Sequence, residues 1–265
     1  MKRIPTSVDP TQYPVGYRSL FESATVYDSS CSPEARVLYV DKEGGLFIKR
    51  AAQGTLAREA AMTRYFHTLG LAVPVIDYRS EDSFDFLVTV RANGEDCTHP
   101  DHLAREEQLC DLLATTLRSL HDTPAPDCPV PDHTAIYLET AKQNAAAGAF
   151  DPSYLTDDGL RRTIRSAADA YAVVAREGKH LENTALLHGD YCLPNVMLDN
   201  WRVSALIDLD HAGLGDRHVD LYWGAWTLCF NLGHDRLRNR FFDAYGRDHV
   251  DMNKISLISI IETLG

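Results

Sequence analysis

The chain has 265 residues, 45% hydrophobic and 24% charged, with a formal net charge of −12. This composition is ordinary for a globular protein with a substantial core, and the acidic balance excludes a general nucleic-acid binder, because phosphate contacts need Lys and Arg. No run approaches the ~20 apolar residues that cross a bilayer, and the six cysteines form no Cys-x-x-Cys pair, which argues against a zinc site and gives no disulfide framework.

The first residues, MKRIPTSVDPTQYP, carry basic groups but no apolar core, so no secretory leader is expected. The free-thiol usage fits a reducing cytoplasm. An acidic surface attracts small cations at long range, and it serves solubility equally well. Nothing implies a protein partner.

In chain order, residues 20–49 read as a β-meander, with strands at 24–27, 36–40 and 46–49 joined by polar turns at 28–33 and 41–45. Lys49 ends the third strand. Residues 56–69 are helical in pattern, with Leu56, Ala60, Tyr65, Phe66 and Leu69 forming a broad apolar face and Glu59 in the first turn. Lys49 and Glu59 read as readily as a surface Lys and a dipole-favoured Glu as they do as an ion pair.

Two more strands are expected at 73–77 and 84–90. Strands dominate before Arg91 and helices after it, which places a boundary between residues 1–91 and 92–265. A helix is expected over 103–121, with Leu109, Leu112, Leu113, Leu117 and Leu120 on its apolar side. Further helices are expected at 133–147, 160–177, 221–232 and 235–245. The loop 148–159 holds Asp151, Asp157 and Asp158, which individually read as ordinary loop and cap aspartates.

Residues 186–210 concentrate His188, Asp190, Asn195, Asp208 and Asp210. Asp190 and Asn195 stand in the order His-x-Asp-x-x-x-x-Asn, and a hairpin turning at Asp199-Asn200 leads to the second acidic pair. This pattern suits phosphoryl transfer. That reaction needs metal ions bridging the phosphates and a group that positions the attacking hydroxyl. Asn and Asp offer the hard oxygen donors that magnesium takes. Alone, His-Gly-Asp reads as a capped turn and Asp-x-Asp as an acidic turn; the combination and its spacing favour chemistry. His188 is expected to hold the loop.

HGDYCLPN and IDLDHAGLGDRHVDL resemble the catalytic loop and metal-binding segment of the kinase-like antibiotic and metabolite kinases, most closely the aminoglycoside 3′-phosphotransferases. The resemblance implies an α+β, two-lobed, protein-kinase-like fold. Its N-lobe (1–91) would be β-rich with one main helix and bind nucleotide; its mostly helical C-lobe (92–265) would carry catalysis and substrate binding. ATP and Mg2+ are the implied cofactors. Asp190 becomes the catalytic base, and Asn195 and Asp208 the magnesium ligands. Lys49 holds phosphates and Glu59 orients it. Ser32 lies in the phosphate-covering turn, with Val90 and Ala92 at the purine edge. Asp157, Asp158 and Glu262 match an acidic insertion and tail that hold amino groups of the antibiotic. Asp216 and Asp220 resemble braces of the catalytic loop.

Two departures bear on the acceptor. Ile261 and Leu264 stand where the family favours Asp and an aromatic, and Asp210-His211 replaces its common Gly-Arg. Asp210 is then an extra metal ligand or an extra acid facing a cationic substrate. The implied acceptor is a small cationic, hydroxylated molecule: an aminoglycoside, or for a kinase of the same fold, choline, an amino sugar or another antibiotic. A protein kinase is disfavoured, because the Gly-rich loop, Asp-Phe-Gly and Ala-Pro-Glu are absent. A binding module without turnover is opposed by intact Lys49, Asp190, Asn195 and Asp208.

Overall fold

The computed structural model describes residues 3–265. In chain order its strands are β1 (Ile4–Pro5), β2 (Thr25–Asp28), β3 (Ala35–Asp41), β4 (Leu46–Ala52), β5 (Val75–Glu81), β6 (Phe84–Val90), β7 (Glu95–Asp96), β8 (Ala185–Leu187), β9 (Val196–Asp199), β10 (Arg202–Leu206) and β11 (Gly213–Gly215). Its helices are α1 (Arg18–Phe21), α2 (Ala57–Thr68), α3 (Pro100–Leu103), α4 (Glu106–His121), α5 (His133–Ala146), α6 (Asp158–Thr163), α7 (Ala167–Glu177), α8 (His218–Leu232), α9 (Arg238–Tyr245) and α10 (Met252–Glu262).

The chain folds as two compact units. The first runs through Cys97 and resumes over Pro194–Asp210; the second comprises Thr98–Leu193 and His211–Gly265. The first unit is built on an antiparallel sheet in the order β1-β2-β3-β4-β6-β5. Alternation sorts its side chains by face. Leu38, Val40, Leu46, Ile48, Phe86 and Val88 share a core with Tyr13 and Tyr17. The opposite parity puts Ala51 and Leu87 against Leu56 and Ala60 of the α2 segment. Lys49 lies two residues before Ala51 and opposite Leu87, so the pleat aims it at the α2 face. The start of α2 is fixed by Asp85, whose carboxylate accepts the Leu56 N–H at 2.9 Å.

A smaller sheet, β10-β9-β7, completes this unit. Asn200 and Trp201 both take positive φ (50° and 59°), as a two-residue hairpin turn requires. The turn therefore falls one residue later than expected. Gly94 is needed where it stands: its φ is +80°, and a Cβ there would run into the Leu198 carbonyl.

The second unit is helical, with a two-stranded β11-β8 ladder. Helix α4 buries Leu109, Leu113, Leu117 and Leu120 and packs on α8 and α9. The fold class is the α+β arrangement expected from the sequence, a strand-rich unit with one main helix and a helical one, but residues 92–97 and 194–210, which the boundary at Arg91 places in the second part, belong to the first unit. Three details differ. The helix expected over 103–121 breaks between α3 and α4. The one expected over 160–177 is interrupted: Ile164 is extended, and Ser166 caps α7 anew by accepting the Asp169 N–H at 3.2 Å. Helix α10 was not anticipated. Its Ile255, Leu257, Ile258, Ile260 and Ile261 are all buried, and a helix covered on every side shows no apolar stripe. Among the described residues, no helix is long and apolar enough to cross a membrane, and all six cysteines are free.

Candidate active site

Strand β8 delivers the chain to His188 and the loop that follows it. Asp220, in the first turn of α8, is fully buried. Its carboxylate accepts the backbone N–H of His188 at 2.7 Å and of Gly189 at 2.8 Å, and lies 3.2 Å from His121 Nε2. Burial opposes its charge, but His121, His188 and the His188 N–H hold its carboxyl below the usual range. Gly189 has φ +85°, and a Cβ there would collide with the His211 carbonyl.

The rest of the loop is fastened at Tyr191, whose hydroxyl donates to Leu113 O at 3.0 Å, and at Leu193, whose N–H reaches Thr227 Oγ1 at 3.1 Å. His188 is buried, and its Nδ1 receives the Asp190 N–H at 3.3 Å. These ties present Asp190 half-buried on a rigid loop. Asp216 is a correction to the bracing expectation. It accepts from Glu182 N and Lys254 Nζ at 2.9 Å each and from His218 N at 3.0 Å, so it ties α10 to the segment before β8.

Glu262, matched to the family's acidic tail, is buried at the end of α10. Its Oε1 accepts Tyr137 OH at 2.6 Å and Trp223 Nε1 at 3.0 Å. Burial pushes its carboxyl up to about 7; the two donors pull it down, and the charge of Asp190 adds to the rise. Glu262 and Asp190 therefore share one acidic region of the second unit. A folded-state pKa above the unfolded value means that the unfolded chain releases this proton first as pH rises. The stability linked to Glu262 is complete below pH 4.5 and is lost up to about pH 7, by at most about 1.4 kcal/mol per pH unit. In melting curves across this range, Glu262→Gln should show a flatter pH dependence than the parent; an identical profile would contradict the burial effect.

Asp157 and Asp158 have local roles. Asp157 caps α6 by accepting the Leu160 N–H at 2.9 Å, and exposed Asp158 lies 3.7 Å from Arg161.

In the first unit, Lys49, Glu59 and Asp208 come together. Lys49 Nζ lies 2.7 Å from Glu59 Oε2 and 2.8 Å from Asp208 Oδ1. Burial works against the ammonium, but the two carboxylates outweigh it and raise the Lys49 pKa, keeping it charged. Asp208 takes φ +60°, uncommon for a residue with a Cβ. The Ile207 N–H donates to Asn195 O at 3.0 Å, which sets the two ends of the hairpin side by side.

Asp210 is joined to α2, where Arg58 Nε donates to its carbonyl and lies 3.6 Å from its carboxylate. Arg58 thus brings a guanidinium to the strand end where the sequence lacks the family's Arg. Sequence reasoning missed it, and also missed Tyr137 and Trp223 on Glu262. His211 is exposed and Ser32 lies in an exposed turn. That turn is closed instead by Ser30, which accepts the Val37 N–H, and by Asp28, which accepts the Ser30 N–H. Val90 pairs with Leu46. Ala92 packs with Met197 and Ala205, flanked by half-buried Val73 and Ile207.

Comparison with known proteins gives this geometry a context. The family model described as "Phosphotransferase enzyme family" matches residues 31–255. A probable aminoglycoside 3′-phosphotransferase of Lactococcus lactis subsp. lactis (strain IL1403) is 44% identical over 254 residues, covering 96% of this chain and 95% of the relative. An aminoglycoside 3′-phosphotransferase of Niallia circulans is 29% identical over 186 residues, 70% of each chain. Among solved structures, an aminoglycoside-3′-phosphotransferase of type VIII superposes with a TM-score of 0.76 at 25% identity, covering 96% of both chains. The chain belongs to the phosphotransferase enzyme family, and within it to the aminoglycoside phosphotransferases.

Proposed function

We propose that the protein transfers the γ-phosphate of ATP to a hydroxyl of an aminoglycoside, with 3′ selectivity. The observation that carries this reading is the Lys49–Glu59–Asp208 network, a half-buried cation fixed by two carboxylates, in a chain that also holds Asp190 on a tightly braced loop. The names of the relatives support the acceptor class.

In this reading Asp190 accepts the proton of the acceptor hydroxyl and aims its oxygen. Lys49 neutralises phosphate charge, and Glu59 keeps its ammonium in place. Asn195 and Asp208 fit magnesium, because they offer hard oxygen donors from adjoining hairpin ends and leave coordination sites for phosphates and water. When bound, the metal spreads the charge developing on the transferred group. Ser32 would contribute to the phosphate-covering turn, and Val90 and Ala92 would edge the purine. Glu262, with Asp157, Asp158, Asp210 and His211, serves the acceptor. In this reading the strand-rich unit handles nucleotide and adds Asp210 to the acceptor's acids, and the helical unit supplies the rest of the acceptor's residues.

The test is magnesium-dependent ADP release with ATP and a panel of aminoglycosides with and without a 3′-hydroxyl. Stimulation confined to drugs with that hydroxyl is the expected result. Basal turnover that none of them stimulates would reject the acceptor. Asp210-His211 favours a second reading, in which another small hydroxylated cation such as choline or an amino sugar is the acceptor, and the same assay covers these compounds. Lys49→Ala should lower kcat/KM for ATP by about 10²-fold, the scale of removing one fixed electrostatic donor. A change below threefold would remove Lys49 from phosphate binding.

A further inference from the structure

A cavity of about 330 Å3 opens in the helical unit between the Pro152–Tyr154 turn and helices α8, α9 and α10. Its wall is aromatic. Trp226 and Phe230 stack with ring centroids 4.9 Å apart at 12°, and Tyr154 stands 5.9 Å from Trp226. Its rim is apolar surface left uncovered, since Phe230 is 70% and Met252 48% exposed.

Two guanidiniums, Arg161 and Arg238, line the same space and no Asp or Glu does, but Arg161 is engaged, donating to Leu155 O at 3.0 Å and lying 3.7 Å from exposed Asp158. Arg238 is half-buried at the start of α9, and its side chain makes no hydrogen bond or ion pair with any described residue. Its neighbours are treated differently: Arg240 pairs with Asp111 at 2.7 Å and Glu107 at 2.9 Å, and Arg236 with Glu106 at 3.2 Å. A chain with 38 acidic residues leaves this cation against an aromatic wall without a counter-charge among the described residues. Withdrawing a charge from water without a partner is costly, and the guanidinium fork matches a carboxylate in two parallel hydrogen bonds.

We infer that this cavity binds a small planar organic acid, with its ring on Trp226 and Phe230 and its carboxylate at Arg238 and Arg161. A cationic ligand meets the unmatched Arg238 guanidinium there. A neutral apolar ligand leaves Arg238 unmatched, and inorganic phosphate leaves the aromatic wall unused. The site differs in charge from one for a cationic acceptor, and it borders the segment assigned to that acceptor, because residues 153–156 line it and Asp157 and Asp158 follow. It touches the acceptor side through Tyr154, whose ring lies 5.8 Å from Trp223, the residue bonded to Glu262.

The test needs neither ATP nor acceptor, so it stands apart from the phosphotransfer reading. Indole-3-acetate and its neutral isostere indole-3-acetamide are titrated into the full chain by calorimetry. The acid should bind at least tenfold tighter than the amide. Arg238→Ala should bring it to the amide's affinity, and Ala225→Phe, which fills the cavity, should abolish both. Equal affinity of acid and amide, no binding of the acid, or acid binding that survives Ala225→Phe would overturn the site. Inorganic phosphate binding as tightly as the acid would overturn the assignment to organic acids. Should Arg238→Ala fail to fold, the comparison on the parent protein and on Arg161→Ala decides.

Discussion

Asp190→Ala should reduce turnover on the order of 10²–10⁴-fold, the range for removing a general base, with little change in melting temperature. The second half of this expectation comes from how the loop is held. Its fastenings are the His188 and Gly189 N–H groups on Asp220, the Leu193 N–H on Thr227, and Tyr191 on Leu113. None of them needs the Asp190 carboxylate, and the Asp190 N–H bond to His188 Nδ1 survives in the alanine variant. The loss should fall on kcat and leave KM for ATP near the parent value, because the interaction is made with the acceptor proton in the transition state. Steady-state ADP release with a saturating acceptor measures it. Unchanged turnover would take Asp190 out of the mechanism.

Asp220→Ala should show the opposite profile, a large loss of stability that carries activity down with it. The substitution leaves two buried backbone donors and the His121 ring without their acceptor. Three unsatisfied buried groups at about 1–3 kcal/mol each bound the loss at about 3–9 kcal/mol, and stripping one partner from a buried charged network, about 3–5 kcal/mol, sets the expected value. Asp220→Asn keeps one acceptor oxygen and should cost less. Urea unfolding followed by circular dichroism resolves the series. A midpoint for Asp220→Ala within error of the parent would show that the loop is held from elsewhere.

What the sequence disclosed and what it concealed follow from physics. Asp190, Asn195 and Asp208 stand out as candidates because phosphoryl-transfer chemistry demands particular residue types at close spacing. The Lys49–Glu59 pairing was left open by the residues themselves and came from the resemblance; the pleat of β4, which turns Lys49 to the α2 face, makes the contact. Arg58 and Asp210 were not, because they are 152 positions apart and only tertiary packing joins them. The burial of Glu262 was not legible, because helix α10 is apolar over most of its length and shows no period. The break between α6 and α7 was hidden by continuous helix-compatible composition; Ser166 decides it through one cap bond.

Helix α8 carries several of these assignments at once. Asp220, Trp223 and Thr227 recur every three or four residues, and together they hold the loop and Glu262. Gly224 lies in the same stretch, where any Cβ would press into Phe241, while Trp226 and Phe230 line the cavity. An α-helix turns by roughly 100° per residue. Deleting or inserting one residue between Asp220 and Thr227 would therefore rotate everything beyond it, swapping an aromatic into the place of a hydroxyl and a tryptophan away from its carboxylate. Natural variation in this helix should run to exchanged side chains and never to altered length, with gaps and additions displaced into the turns at either end.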